Sequence, residues 1–256
     1  MRALNAWLAG VYGFLYLPIA VLMVLSFNKS GMPTAWGGVS LEWYGALVAN
    51  AKITGAAWNS VVVAFWATAI STVLGTLLAL GVERAKPSAT REALLFAPMI
   101  IPDIVLAIAL LSFFTLLQFT LGLHSIVIAH VVFNLAFVSA VVRARLRSYD
   151  WSLNEASRDL GATAFITFRR ITLPLIGPSV LAAALLAFTL SIDEFIIAYF
   201  TAGAGQASTT LPMQIYAMIR FGVTPEINAM ASVVMLVSFV MVFAAQRLNR
   251  GRIPGT

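Results

Sequence analysis

Three carboxylates stand where a polypeptide seldom keeps charge. Asp103, Asp193 and Glu194 each fall among apolar residues, and no lysine or arginine in those stretches is placed to neutralise them. A charged side chain at the centre of a bilayer costs about 2.5–3.5 kcal/mol on insertion scales, so uncompensated carboxylates there mark a route for a cation or for protons. Asp193 leads the three, because it shares a helical face with the polar Thr189 and with Phe200. Adjacent residues on a helix point about 100° apart, so Glu194 does not share that face equally. Glu194 instead falls in a stripe with Ala187, Ser191 and Ala198, a spacing that also suits close helix packing and a hydrogen bond to a neighbouring helix. Asp103 follows Pro102, and its second reading is a helix cap. Phe195 and Tyr199 lie four residues apart beside these acids. Aromatic faces attract ammonium groups by about 0.5–2 kcal/mol, although a tyrosine at a membrane boundary serves equally as an interfacial anchor.

Other chemistries find few residues. The chain has no cysteine, which removes disulfides, thiol nucleophiles and cysteine-ligated metals. His124 reads as a loop residue and His130 as a polar group packed between helices, and neither belongs to an HExxH pattern. No G-x-x-x-x-G-K-[ST] phosphate loop occurs, so the chain is not expected to bind ATP itself. An intramembrane enzyme would need a catalytic set that the spacing does not supply. A self-contained proton-coupled carrier would suit the acids, but it predicts internal repeats or paired broken helices, and the two halves show no clear repeat.

Composition names the solvent. Of 256 residues, 61% are hydrophobic and 10% charged, and the mean hydropathy is +0.93. A soluble domain carries about 25% charged residues, so most of this surface must face lipid. The net charge of +6 does not point to nucleic acid, because the basic residues are scattered between apolar runs rather than gathered in a patch.

Uncharged runs cover 3–28, 53–82, 104–142, 171–192 and 227–246. A spanning helix needs roughly 20 apolar residues, and the long third run is interrupted near Gln118, Gly122, His124 and Ser125. The pattern predicts an all-α integral membrane protein with six transmembrane helices near 5–27, 57–82, 93–117, 124–143, 178–202 and 229–247, forming a single transmembrane domain over 1–256. The first run reads as a retained anchor rather than a cleaved leader. Asp103 then sits about 15 Å into the third helix at 1.5 Å per residue. Between these helices, thirteen lysines and arginines fall on one side and Lys29, Lys52 and Arg220 on the other. The richer side is expected to be cytoplasmic, with both termini inside.

One cytoplasmic loop, about 150–174, is too patterned for a linker. Ser152 and Glu155 have capping-box spacing. Leu153, Ala156 and Leu160 then share a face, Arg158 and Asp159 point away, and Gly161 is the stop. Such a helix either packs on its own bundle or waits for a partner. It is too short to be stable alone.

Glu155-Ala156-Ser157, Gly161, Ile171 and Leu173-Pro174 match the E-A-A-x-x-x-G-x9-I-x-L-P signature, with Ser157 in place of the second alanine. On those residues the chain resembles binding-protein-dependent ABC importer permeases. It is most similar to the second permease subunits of spermidine/putrescine importers, through Pro102-Asp103-Ile104-Val105, Ser191-Ile192-Asp193-Glu194-Phe195, Pro212-Met213-Gln214-Ile215-Tyr216 and Gly222-Val223-Thr224-Pro225-Glu226-Ile227-Asn228. Some of these shorter motifs are shared with permeases for other small amine, amino acid, aminophosphonate or metal substrates. The resemblance implies a type I ABC importer permease fold and makes the 153–160 helix a coupling helix docked in a groove of an ATPase subunit. It further implies an ATP-binding subunit dimer that holds the ATP and magnesium, a second permease of different sequence, and an external solute-binding protein. The segment 203–216 reads as a flexible loop followed by a short interfacial helix, either a contact for that binding protein or a plain return.

Overall fold

In the computed structural model the chain is helical apart from a single bridge between Asn28 and Val39 among the described residues. The structure describes residues 2–32, 35–220, 222 and 224–250, with side chains described in that span except at 2, 3, 6 and 240–250. Val223 and Arg252, both used above, lie outside the described residues, as do the side chains of Arg2, Arg247 and Arg250. In order the helices are α1 (Arg2–Leu25), α2 (Glu42–Ala49), α3 (Ala51–Arg84), α4 (Ala89–Ile100), α5 (Asp103–Leu116), α6 (Leu123–Leu146), α7 (Ser152–Asp159), α8 (Ala164–Thr167), α9 (Leu173–Asp193), α10 (Ile196–Thr201), α11 (Leu211–Ile219) and α12 (Pro225–Arg250). A π-helical turn over Phe168–Thr172 joins α8 to α9.

Among the described residues, four segments are long and apolar enough to cross a membrane: Trp7–Leu25, Ala51–Arg84, Leu123–Leu146 and Ala164–Asp193. A fifth is available if α4 and α5 form one span, but these two meet at 104°. The expectation of one helix over 93–117 is therefore corrected, and the reason is local. A proline ring crowds the residue before it out of the helical region, and Ile101 accordingly has φ −69°, ψ 132°. The helix stops at Ile100 and restarts at Asp103 after Pro102. Where one helix was expected over 178–202, a helical run already begins at Ala164, and α9 ends at Asp193 before the separate α10.

Contacts divide the chain into Met1–Ala56 with Met213–Thr256, and Ala57–Pro212. In the first unit α12 packs on α1 and α2. Its loop after α1 is built around buried Asn28, whose Oδ1 accepts the Gly37 N–H at 2.8 Å and whose Nδ2 donates to the Ala35 carbonyl at 2.8 Å.

The second unit is centred on α6, which packs along α9 and also meets α4, α5 and α10. Ala79, Leu80, Val138, Val142, Leu146, Ile176, Ala183 and Ala187 form one core cluster, while Leu106, Ala107, Phe114, Ala129, Phe133 and Ile197 form another. A Cβ at Gly75 would stand 2.7 Å from the Val138 side chain, so α3 and α6 approach here to a distance only glycine allows. Near the C-terminal end of α6, buried Arg143 receives Glu92 from α4 and Glu83 from α3.

Candidate functional site

Both helix breaks carry acids, and the packing of α10 on α5 brings the breaks together. Asp103 is the first residue of α5, beyond Pro102 as N-cap, and it is exposed. It does not sit ten residues into an unbroken helix. An acid in the first turn complements the positive end of the helix dipole, which favours its second reading as a terminus residue.

Glu194 occupies the break between α9 and α10 in extended conformation, φ −72°, ψ 120°. Its Oε1 accepts the Ile197 N–H at 3.0 Å, so the side chain caps the six-residue α10. Its Oε2 is buried without a hydrogen-bond partner. The hydrogen bond expected from Glu194 to a neighbouring helix is thus made to the helix that follows it in the chain. At its other end α10 is held by hydroxyls: Ser125 Oγ donates to the Thr201 carbonyl at 2.6 Å, and Ser208 Oγ to the Ala202 carbonyl at 2.6 Å.

Asp193 is the last residue of α9 and is exposed. Among the described residues it enters neither of the two ion pairs. A carboxylate at a helix C-terminus gains nothing from the dipole, so its local setting does not explain it as it does Asp103 and Glu194. Beyond the break, the rings of Phe195 and Tyr199 pack on each other with centroids 5.4 Å apart, Phe195 half-buried and Tyr199 exposed. Two residues before Asp193, Ser191 is buried and its hydroxyl lies 2.7 Å from His130 Nδ1, which joins α9 to α6 as expected for a histidine packed between helices. Asn134 Nδ2 donates to the Ala187 carbonyl at 3.3 Å on the same seam. His124 belongs to the first turn of α6 rather than to a loop.

The segment expected to be a flexible loop, 203–211, is pinned by hydrogen bonds. Asn59 Nδ2 donates to the carbonyls of Ala207 and Thr209 at 3.0 and 2.9 Å, and Ser60 Oγ accepts the Leu211 N–H at 2.8 Å. Gly203, at φ +76°, fits against Leu121, where a Cβ would come within 2.8 Å.

In the 150–174 loop the face that α7 buries is the polar one. α7 buries Asn154 and Ser157, while Leu153 is 42% and Leu160 90% exposed, and Ala156 is exposed as well. Its buried side chains are held by hydrogen bonds. Tyr149 Oη donates to Asn154 Oδ1 at 2.6 Å, Thr172 Oγ1 donates to the same oxygen at 3.3 Å, and the hydroxyls of Ser157 and Thr167 are 3.0 Å apart. Nor does Ser152 act as the cap. Trp151 occupies that position without a side-chain cap bond, and Asp150 Oδ1 accepts the Ser152 N–H at 3.0 Å. The Ser152 hydroxyl, and after it the Ser152 backbone N–H, hold the Asp150 carboxyl below the usual carboxylate range. Gly161 takes φ +83° just after the helix. Ile171 lies in the π-helical turn, and Leu173 and Pro174 open α9. Asn154 and Thr172 were not singled out by sequence; a polar residue between Leu153 and Glu155 reads as solvated, and only the fold reveals it as buried.

A helical chain with several apolar spans, interrupted helices and acids at the interruptions has the makings of a membrane permease, although these features alone would also suit a self-contained carrier. Residues 71–253 match the family described as binding-protein-dependent transport system inner membrane component, and the chain belongs to that family. It is a permease subunit of an ABC transporter, a multi-pass protein of the inner membrane. It is 38% identical over 255 residues to the spermidine/putrescine transport system permease protein PotC of Escherichia coli (strain K12), covering 98% of this chain and 95% of that one. To the putrescine transport system permease protein PotI of the same strain it is 37% identical over 255 residues, covering 94% and 90%. Among solved structures, a bacterial ABC transporter involved in the import of the acidic polysaccharide alginate superposes with TM-score 0.77 at 17% identity, over 99% of this chain and 96% of that one. The MetNI methionine ABC transporter gives 0.65 at 19% identity, over 84% and 100%.

Proposed function

We propose that this chain is one of two permeases in an importer for a small cationic substrate of the polyamine class, spermidine or putrescine. The names of the relatives supply the class. The observation that carries it to this chain is Asp193, an exposed carboxylate at the end of an apolar helix and outside the ion pairs of the described residues, followed in the chain by the paired rings of Phe195 and Tyr199. Asp103 and Glu194 add negative potential at the facing breaks, which an ammonium group relieves.

The proposed topology has six spans in a single domain over 1–256. Joining α4 to α5 as one bent span and counting α12 brings the number to six, and the thirteen-to-three distribution of basic residues puts both termini in the cytoplasm. α7 serves as the coupling helix. Its open Leu153, Ala156 and Leu160 offer the ATPase subunit the contact that their own chain leaves unmade. ATP and magnesium are held by the ATPase dimer, the second permease is a different chain, and a solute-binding protein docks outside, where 203–216 is presented.

The test is reconstitution of the permease pair with its ATPase and binding protein in vesicles supplied with ATP. Labelled spermidine or putrescine is expected to accumulate, with excess unlabelled polyamine competing. ATP-driven uptake of another solute, indifferent to polyamines, would overturn the substrate class and leave the permease role standing.

A further inference from the structure

Asn154 sits where three elements meet, and its bonding is unusual. One end of its amide takes two hydroxyls, from Tyr149 before α7 and from Thr172 at the end of the π-helical turn, while Nδ2 is buried with no partner. Whichever way the amide is turned, one end meets two hydroxyls and the other meets nothing. Buried polar groups in a static scaffold are normally satisfied throughout. A side chain left half-satisfied suits a joint that exchanges partners better than one that only fills space.

The second partner matters most. Thr172 is fully buried and closes the only π-helical turn among the described residues, immediately before α9. A π turn holds one residue more than the α-helix around it, and such turns recur at functional sites. Moving between the two forms rotates everything beyond by about 100°. From Thr172, α9 runs 21 residues to Asp193, about 30 Å at 1.5 Å per residue, packed along α6.

We propose that Asn154 is the positioning residue through which α7 moves α9: its bond to Thr172 delivers a displacement of α7 to the root of the helix that carries Asp193. The inference rests on the reading of α7 as the coupling helix. Tyr149 bonds to the same oxygen but belongs to the segment following α6, so its bond is not part of the link between α7 and α9.

The assembled importer tests this in vesicles, read as substrate transported per ATP hydrolysed. Asn154→Leu and Thr172→Val are each expected to lower that ratio about fivefold, within the range by which residues along a coupling route act. The double variant is expected to fall no further than Asn154→Leu alone, because both changes cut one bond. Tyr149→Phe, which removes a hydroxyl from the same buried oxygen, is expected to stay within about twofold of the parent. A normal ratio in Thr172→Val, an equal fall in Tyr149→Phe, or additive losses in the double variant would each overturn the proposal. So would loss of ATPase co-purification in both Asn154→Leu and Thr172→Val, which would assign the bond to docking. Leu160→Asp on the open face tests the underlying reading separately. If that variant retains the ATPase and transports normally, α7 is not the coupling helix, whatever Asn154 does.

Discussion

Arg143 on α6 grips Glu92 on α4 with both ends of its guanidinium, Nη1 to Oε2 at 2.7 Å and Nη2 to Oε1 at 2.6 Å. Glu83 at the end of α3 adds a contact at 3.4 Å, and the Phe96 ring lies 5.8 Å from the guanidinium carbon. Three helix ends are thereby tied at one point, and the amphipathic α4 is held against α6 although it turns 104° from α5. Planar, two-pronged recognition of this kind is specific to arginine.

Breaking the pair from one side leaves the buried guanidinium under-compensated. Glu92→Gln is expected to lower the thermal midpoint of the detergent-purified permease by several degrees. Arg143→Met combined with Glu92→Gln is expected to recover part of that loss, because it removes the charge as well as its partner. Arg143→Lys is expected to fall between the parent and Glu92→Gln. A double variant less stable than Glu92→Gln alone would show that the interaction is not an ion pair held at a cost.

Gly161 offers a cleaner probe of the loop, because nothing lies within 4 Å of where its Cβ would be and the backbone alone resists substitution. At φ +83° an L-residue loses about 1–2 kcal/mol, and a β-branched one more. Gly161→Val is expected to abolish substrate-stimulated ATP hydrolysis in the assembled importer while the permease still inserts. Gly161→Asn, which tolerates the left-handed region, is expected to retain most of it. Full stimulation in Gly161→Val would count against α7 as the coupling element.

The apolar runs and the stop at Gly161 were legible in the sequence, because each depends on local backbone rules or on composition, whereas the break at Pro102 stood there only as the second reading of Asp103. The break at Glu194 was not legible. No proline or glycine announces it; Glu194 creates it by capping α10, and α10 is held in turn by α5, Ser125 and Ser208. The buried face of α7 also escaped, for a related reason. Periodicity assumes that apolar residues choose the packed side, whereas Asn154 and Ser157 are fixed by hydroxyls from distant positions. Arg143 had counted simply as one of thirteen basic residues, and its burial between two glutamates shows that a charge at a membrane boundary need not be solvated.

Membrane orientation is tested by single cysteines in this cysteine-free chain. Ser88 precedes α4, and Gln206 lies exposed in the pinned outer segment. Ser88→Cys and Gln206→Cys are expected to react with an impermeant thiol reagent from opposite faces of sealed vesicles. Reaction of both from one face would overturn the six-span topology.

The acids at the breaks separate by what each does for the fold. Glu194 caps α10, so Glu194→Gln keeps an acceptor for the Ile197 N–H but removes the charge, and Glu194→Ala removes both. Loss of such a cap costs about 1 kcal/mol, so Glu194→Ala is expected to disturb α10 and the yield of folded permease. Asp193 has the opposite signature. It ends α9, where the dipole disfavours a negative charge by about 0.3–1 kcal/mol, so Asp193→Asn is expected to leave the thermal midpoint unchanged or slightly raised. The same change is expected to cut uptake of labelled spermidine or putrescine at least tenfold in vesicles containing the complete importer, a loss of about 1.4 kcal/mol or more in transition-state or binding free energy. Asp103→Asn is expected to have a smaller effect, because that residue opens α5 and already has a structural reason to be acidic. Retained stability with lost transport would place the cation beside Asp193. Parental transport by Asp193→Asn would sink the substrate role. Failure of that variant to assemble with its partner subunits would instead mean that the exposed carboxylate serves an interface between chains.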